Sequence, residues 1–240
     1  TEAVTAMDFS ADGRFLASGA ADNLIIIWDI ASGQKVYVLR GHSGGVRSVV
    51  FNNNGSRLAS AGGWVDITVK MWDMATGSPL YNITGFTKGD IELVQRRGTD
   101  MMASAGGDGI IRVWNFESRQ LISSIEKHGR AIRSLIFSLD GNRLASSSED
   151  GNTYIWETGG WSLVRGVNSK GSNDAAFSLD NQVLVVAGET VEFWDTSSGN
   201  LLTEFSGTPG SLTRLTISSD GKVLAAGSTD GTIRLYGIKQ

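Results

Sequence analysis

Six short segments, "IIIWDI", "VKMWDM", "IRVWNF", "TYIWET", "VEFWDT" and "IRLYGI", place an aromatic at Trp28, Trp72, Trp114, Trp156, Trp194 and Tyr236. The intervals are 44, 42, 42, 38 and 42 residues. A self-similar period of this length limits the fold more than any other feature, because it calls for one small unit stacked on copies of itself. Ahead of each aromatic comes a small, apolar run: "FLASGA", "RLASAG", "MMASAG", "RLASSS", "VLVVAG" or "VLAAGS". Earlier still stands a run such as "VTAMDFSADG", "VRSVVFNNNG", "IRSLIFSLDG" or "LTRLTISSDG". These runs are short, rich in β-branched and aromatic residues, and divided by Gly, Asp and Asn. That is the pattern of strands and turns.

Each unit therefore reads as four short antiparallel strands, in the first unit "VTAMDFS", "RFLASGA", "LIIIWDI" and "KVYVLRG". One such sheet alone cannot cover both of its faces. Set radially, each sheet packs against a neighbour on either side, which accounts for the nearly unbroken apolar character of "IIIW" and "LVVAG". The expected fold is all-β, a β-propeller of four-stranded antiparallel blades.

Composition narrows the partners. At 240 residues and 40% hydrophobic, the chain is long and apolar enough to build a sizeable core. The net charge is −4 and the longest basic cluster is "QRRG", so no concentrated basic face for nucleic acid is expected. No apolar run reaches the length of a membrane span, and "TEAVTAMDFS" lacks a signal-peptide pattern. A chain beginning at Thr1 is expected to have been processed or trimmed. Cysteine is absent, which excludes disulfides, a thiol nucleophile and a Cys-ligated zinc, and fits a reducing, cytoplasmic setting.

The units resemble the WD-repeat propellers, whose blades carry a Gly-His pair, "FSPDG", "LASGS", an Asp and a Trp-Asp pair in that order. Here the matching stretches are "GHSGGVRSVVF", "FSADGRFLASGA", "FSLDGNRLASSSEDG", and the pairs Trp28-Asp29, Trp72-Asp73 and Trp194-Asp195. The resemblance spans essentially the whole chain. It implies one domain over residues 1–240, in units of roughly 1–40, 41–84, 85–126, 127–167, 168–206 and 207–240. Six WD-type repeats are recognisable, and the last lacks its outer strand. Rings of this family close when an N-terminal strand completes the last blade. The expectation is that the chain belongs to a seven-bladed ring whose remaining strands lie in the parent chain. The alternatives are six blades with one three-stranded blade, or a strand donated by another chain.

Ser146 and Asp150, with His128 upstream, raise the question of a hydrolase triad. Ser146, Asp150 and Trp156 recur with the same spacing as Ser18, Asp22, Trp28 and as Ser104, Asp108, Trp114. The second unit has His42, Ser60, Asp66 and Trp72, with two extra residues between Ser60 and Asp66. A triad is needed once, and it is recognised by geometry and roles rather than by composition. The family resemblance implies that these residues form a structural hydrogen-bond chain instead. Both histidines are then committed, leaving none as a general base. No catalytic residue, metal or cofactor is expected. In the third unit Phe86 takes the His position and is expected to be buried packing. The fifth has Asn168, Val186 and Gly188, so donors and acceptors are expected to vanish together. The sixth has Thr208, Ala226, Asp230 and Tyr236.

The resemblance also implies partner contacts on the wide face, through the residue after the first apolar position of each inner strand: Thr5, Arg47, Ile91, Arg133, Asn173 and Thr213. A second set lies just before the turn Asp: Ala21, Val65, Gly107, Glu149 and Thr229. Arg47 and Arg133 would give the channel mouth a basic side, suited to an acidic or phosphorylated segment, or else be ordinary surface residues. Trp64, in the two-residue insertion of "AGGWVDIT", is either an exposed anchor or folded over the insertion. Asn54 in "NGS" and Asn82 in "NIT" are glycosylation sequons that would count only in a eukaryotic secretory setting. The expected function is a non-catalytic protein-protein interaction module, a rigid scaffold or sensor. The rivals are a structural subunit of a larger assembly and, third, an enzyme with a channel site.

Overall fold

The computed structural model describes residues 2–89, 91–169, 171–206 and 210–238; Thr208 lies outside them. The described residues form six antiparallel sheets, each joined in chain order. Two compact units divide the chain, residues 1–126 and 127–240. In the first, β1 (Val4–Phe9), β2 (Phe15–Ala20), β3 (Leu24–Asp29) and β4 (Lys35–Arg40) make one sheet. The second sheet is β5 (Val46–Phe51), β6 (Arg57–Gly62), β7 (Val69–Asp73) and β8 (Pro79–Ile83). The third is β9 (Glu92–Gln95), β10 (Met101–Ala105), β11 (Ile110–Asn115) and β12 (Leu121–Glu126).

The second unit repeats the plan. Its first sheet is β13 (Ile132–Phe137), β14 (Arg143–Ser148), β15 (Asn152–Glu157) and β16 (Leu163–Asn168). The next is β17 (Asp174–Phe177), β18 (Val183–Ala187), β19 (Val191–Asp195) and β20 (Leu201–Phe205). The last has three strands among the described residues, β21 (Leu212–Ile217), β22 (Val223–Ser228) and β23 (Ile233–Gly237). No helix of the described residues is long and apolar enough to cross a membrane.

Two recurring turns explain the sequence motifs. In the first hairpin Ser10 Oγ donates to Asp12 Oδ1 (2.6 Å), which also accepts the Arg14 N–H. Gly13 follows at φ +69°, a conformation without steric penalty only for glycine. The same Ser-to-Asp bond recurs at Ser138 and Asp140, Ser178 and Asp180, and Ser218 and Asp220. The acid after the Trp does a second job, because Asp29 Oδ1 accepts the Ser32 N–H and hydroxyl in the next turn. Asp73 and Asp195 do likewise.

Neighbouring sheets within a unit share apolar clusters, the first and second strands lying nearest the first strand of the following sheet. Ile25 and Ile27 of β3 share one with Val46, Val49 and Phe51 of β5, and Val69 and Met71 of β7 share one with Ile91 and Leu93. In the second unit Ile155 of β15 shares one with Ala175 and Phe177, and Val191 of β19 with Leu212. A strand covered on both faces loses the polar alternation of an exposed sheet, hence the continuous apolar runs.

Candidate interaction site

The second blade holds a complete polar chain. Trp72 Nε1 donates to Ser60 Oγ (2.7 Å), Ser60 lies 2.7 Å from His42 Nε2, and His42 Nδ1 lies 2.6 Å from Asp66 Oδ2. The fourth blade repeats it with Trp156 to Ser146 (2.9 Å), Ser146 to His128 Nε2 (2.8 Å) and His128 Nδ1 to Asp150 (2.9 Å). When the imidazole is neutral the chain runs in one direction, indole to serine, serine to Nε2 and Nδ1–H to carboxylate, so serine and histidine each donate once and accept once. Burial lowers the pKa of both histidines and outweighs the opposing pull of Asp66 and Asp150. Burial pushes the two carboxyls up. Their donors win, however, and hold both below the usual range: Thr68, Ser43 N–H and His42 at Asp66, and His128 with two backbone amides at Asp150.

The atoms match those of a hydrolase triad, but the serines are closed off. Ser60 and Ser146 are 0% exposed, and each Oγ is already capped by an indole N–H. No substrate carbonyl reaches either oxygen without the blade opening.

The other blades keep the indole bonded by different means. Trp28 donates to Ser18 and Trp114 to Ser104, both at 2.8 Å. In the third blade Phe86 is buried as expected, and the guanidinium of Arg112 lies 4.8 Å over its ring. Arg112 also pairs with Asp108 at 2.9 Å. In the fifth blade the expected loss of both donor and acceptor does not occur. Trp194 keeps its N–H, which donates to Glu192 Oε2 at 3.1 Å, and Thr190 donates to the other oxygen. Glu192 is 3% exposed. In the sixth, Arg234 lies 3.5 Å from Asp230. The signal that could have found these residues is the position two before each aromatic, on the same side of the strand. It holds Lys70 and Tyr154 where a His is present, Arg112, Glu192 and Arg234 in the third, fifth and sixth blades, and Ile26 in the first.

At the start of the first strand the ladder breaks at one residue. Thr5, Arg47, Arg133 and Thr213 are each skipped by a bulge in the pairing of first and second strands. A bulge re-aims a side chain out of the ladder, and these four are the expected rim residues. Thr5 and Thr213 bond to carbonyls of their own units, and Asn173 donates to Ser211 Oγ and the Leu212 carbonyl. Ile91 is a correction. It is 0% exposed in the core, and the neighbouring Glu92 is paired with Ala105 in the ladder and lies 3.4 Å from Arg47. Arg133 likewise pairs with Glu149. Both arginines are thus neutralised by carboxylates, contrary to an unopposed basic side.

The second rim set also shifts by two in the second blade. Gly63, not Val65, donates its N–H to the loop before the first strand, as Gly107, Glu149 and Thr229 do in theirs. The insertion is therefore Trp64-Val65 itself. Trp64 is 84% exposed and Val65 74%.

Sheets of this repeating form, each fastened by a tryptophan-centred polar brace, define a repeat protein of propeller blades. The chain belongs to the WD40 family: the model for the WD domain, G-beta repeat, matches residues 1–29, 33–73, 119–157 and 199–237, more than half of its length. The unmatched stretches hold most of the third and fifth blades, where Phe86 and Val186 break the brace. Small ribosomal subunit protein RACK1y of Oryza sativa subsp. japonica is 31% identical over 55% of this chain and 42% of its own. Transducin beta-like protein 3 of Rattus norvegicus is 24% identical over 98% of this chain and 26% of its own. Apoptotic protease-activating factor 1 of the same species is 27% identical over 91% and 18%. The chain thus spans less than half the length of each of these relatives.

Proposed function

We propose that the chain is a non-catalytic protein-interaction module, a rigid scaffold that takes a partner segment on the loop ends of its blades. Proteins of the WD40 family generally act as interaction scaffolds. The observation that carries the reading is that both histidines and their serines are spent inside the blades, while the bulge residues and the insertion face outward. In the first unit the contact residues are Thr5, Arg47 and Trp64; in the second, Arg133, Glu149, Asn173 and Thr213. An acidic or phosphorylated segment at Arg47 or Arg133 would exchange for Glu92 or Glu149 rather than fill a vacancy. A cytoplasmic setting belongs to the same proposal. The test compares partners recovered from a native extract by wild type and by an Arg47/Arg133/Trp64 triple Ala variant. Identical partner sets would remove these contact residues, and turnover of any substrate would overturn the non-enzymatic reading.

A second reading, a structural subunit without a regulated ligand, is favoured by one relative's name, which places RACK1y in a small ribosomal subunit. It predicts a fixed stoichiometric complex in place of an exchangeable partner.

A further inference from the structure

The loop between β6 and β7 combines two properties rarely found together: an exposed aromatic tip and a tightly fixed base. Trp64 and Val65 are almost fully exposed, and Ile67 is 41% exposed. One residue beyond Val65, Asp66 is 3% exposed and accepts from His42, from the Ser43 N–H (2.9 Å) and from Thr68 (2.5 Å). The Asp66 N–H closes the turn on the Gly63 carbonyl at 2.8 Å, and Gly63 N–H bonds Gly45 O at 2.7 Å.

Glycines on either side let neighbouring backbone lie flush against this loop. A Cβ on Gly89 would stand 2.7 Å from the Trp64 carbonyl oxygen and 2.9 Å from its Cα. One on Gly44 would stand 2.8 Å from a Val65 methyl. The brace that looks purely structural in the fourth blade therefore also presents an anchor in the second. A large, rigid aromatic held in place before binding loses little conformational freedom on contact.

Asp66 is committed to His42 and Glu92 to Arg47. Lys88, beside Gly89, is exposed and forms no ion pair among the described residues.

We propose that the Trp64 loop is a docking site for a short peptide segment of a partner protein, in which an apolar side chain packs on Trp64 and Val65 and an adjacent carboxylate pairs with Lys88. This deepens, and rests on, the reading of the chain as an interaction module.

The probe is a displayed library of random 12-residue peptides selected on the purified chain, with enriched peptides synthesised and their affinities measured. Enriched sequences should pair an apolar residue with a neighbouring Asp or Glu. Their affinity should fall by about tenfold or more with Trp64→Ala, by roughly fivefold with Lys88→Glu, and with added salt. Gly89→Ala, which keeps Trp64 but displaces its backbone, should weaken them too. Because Trp64 is exposed, Trp64→Ala should leave the melting temperature unchanged, which separates lost binding from lost folding. Peptides that bind Trp64→Ala within about twofold of wild type overturn the proposal, and so does a library with no enriched peptide. If such peptides instead lose affinity with Arg47→Ala or Arg133→Ala, this site is refuted while the interaction-module reading stands.

Discussion

The fourth and fifth blades sit side by side in one unit and solve the same problem with different chemistry. Each must bury an indole N–H, and a buried donor without a partner costs about 1–3 kcal/mol. The fourth uses Ser146, with His128 and Asp150 extending the chain to a loop. The fifth has Val186 in place of the serine and answers with Glu192 from the same strand as the Trp. What the blades share is therefore a satisfied indole, not a set of residue types. They differ in reach. The His128 chain ties the loop at Gly129 to the blade, since Asp150 also accepts the Gly129 N–H at 3.0 Å; the Glu192 arrangement stays local.

The largest effect should come from breaking the long chain. His128→Ala strands the Ser146 hydroxyl and one Asp150 bond and leaves a void under Tyr154, whose ring stacks 4.7 Å from the imidazole. A loss of about 3 kcal/mol is expected, roughly 6–12 °C in Tm by calorimetry. Glu192→Leu should come next, at about 2 kcal/mol, because it strands the Trp194 N–H and the Thr190 hydroxyl together. Glu192→Gln keeps an acceptor and should lose less than half of that. If Glu192→Leu is neutral, the fifth blade has no working brace and the equivalence fails.

The repeat, the strand order and the His-Ser-Asp-Trp sets were legible because each is indexed by the aromatic. Reading blade by blade against one fixed set of positions hides compensation from elsewhere. Val186 and Gly188 registered as vanished groups, while their replacement entered at Glu192, two residues before Trp194. Arg112 escaped for the same reason, since a cation over the ring of Phe86 replaces the imidazole without resembling it. Ile91 has the count of a rim position, but the described pairing of its strand shows no bulge such as re-aims Thr5, Arg47, Arg133 and Thr213, and its side chain stays in the core. The exposure of Trp64 was not legible, because an insertion carries no periodic neighbour that fixes its direction.

Acidity should separate the two blades with opposite signs. His128 has a folded pKa below its ordinary 6.5, so the unfolded chain takes up the proton first. Stability from this group is therefore lost as pH falls below about 6.5. Asp174, in the first strand of the fifth blade, is deeply buried, and burial raises its pKa above 3.8 despite bonds from Ser134 (2.6 Å) and the Leu215 N–H (2.8 Å). A raised carboxyl contributes stability at low pH that is lost as pH rises through its folded pKa. Carboxyl-carbon NMR titration should find Asp150 below the ordinary aspartate range and Asp174 above it. Asp8, the matching case in the first unit, should titrate at about 6. The reverse order of Asp150 and Asp174 would remove the distinction.

The smallest effect tests whether position alone confers a brace. The sequence pattern gives Asn168 the place of His128, so a purely positional account assigns it the same importance, whereas the pairing sets Asn168 against Asn152 as it sets Glu126 against Ile110 one blade earlier. The Asn168 side chain is exposed and, among the described residues, makes one long bond, 3.4 Å to Asn152. Val186 occupies the site of the brace serine, and the indole is held by Glu192. Asn168→Ala should therefore change stability by less than about 0.5 kcal/mol. A loss comparable to that of His128→Ala would mean that the loop before the fifth blade is held through Asn168 after all, and that Glu192 supports the tryptophan without replacing the chain.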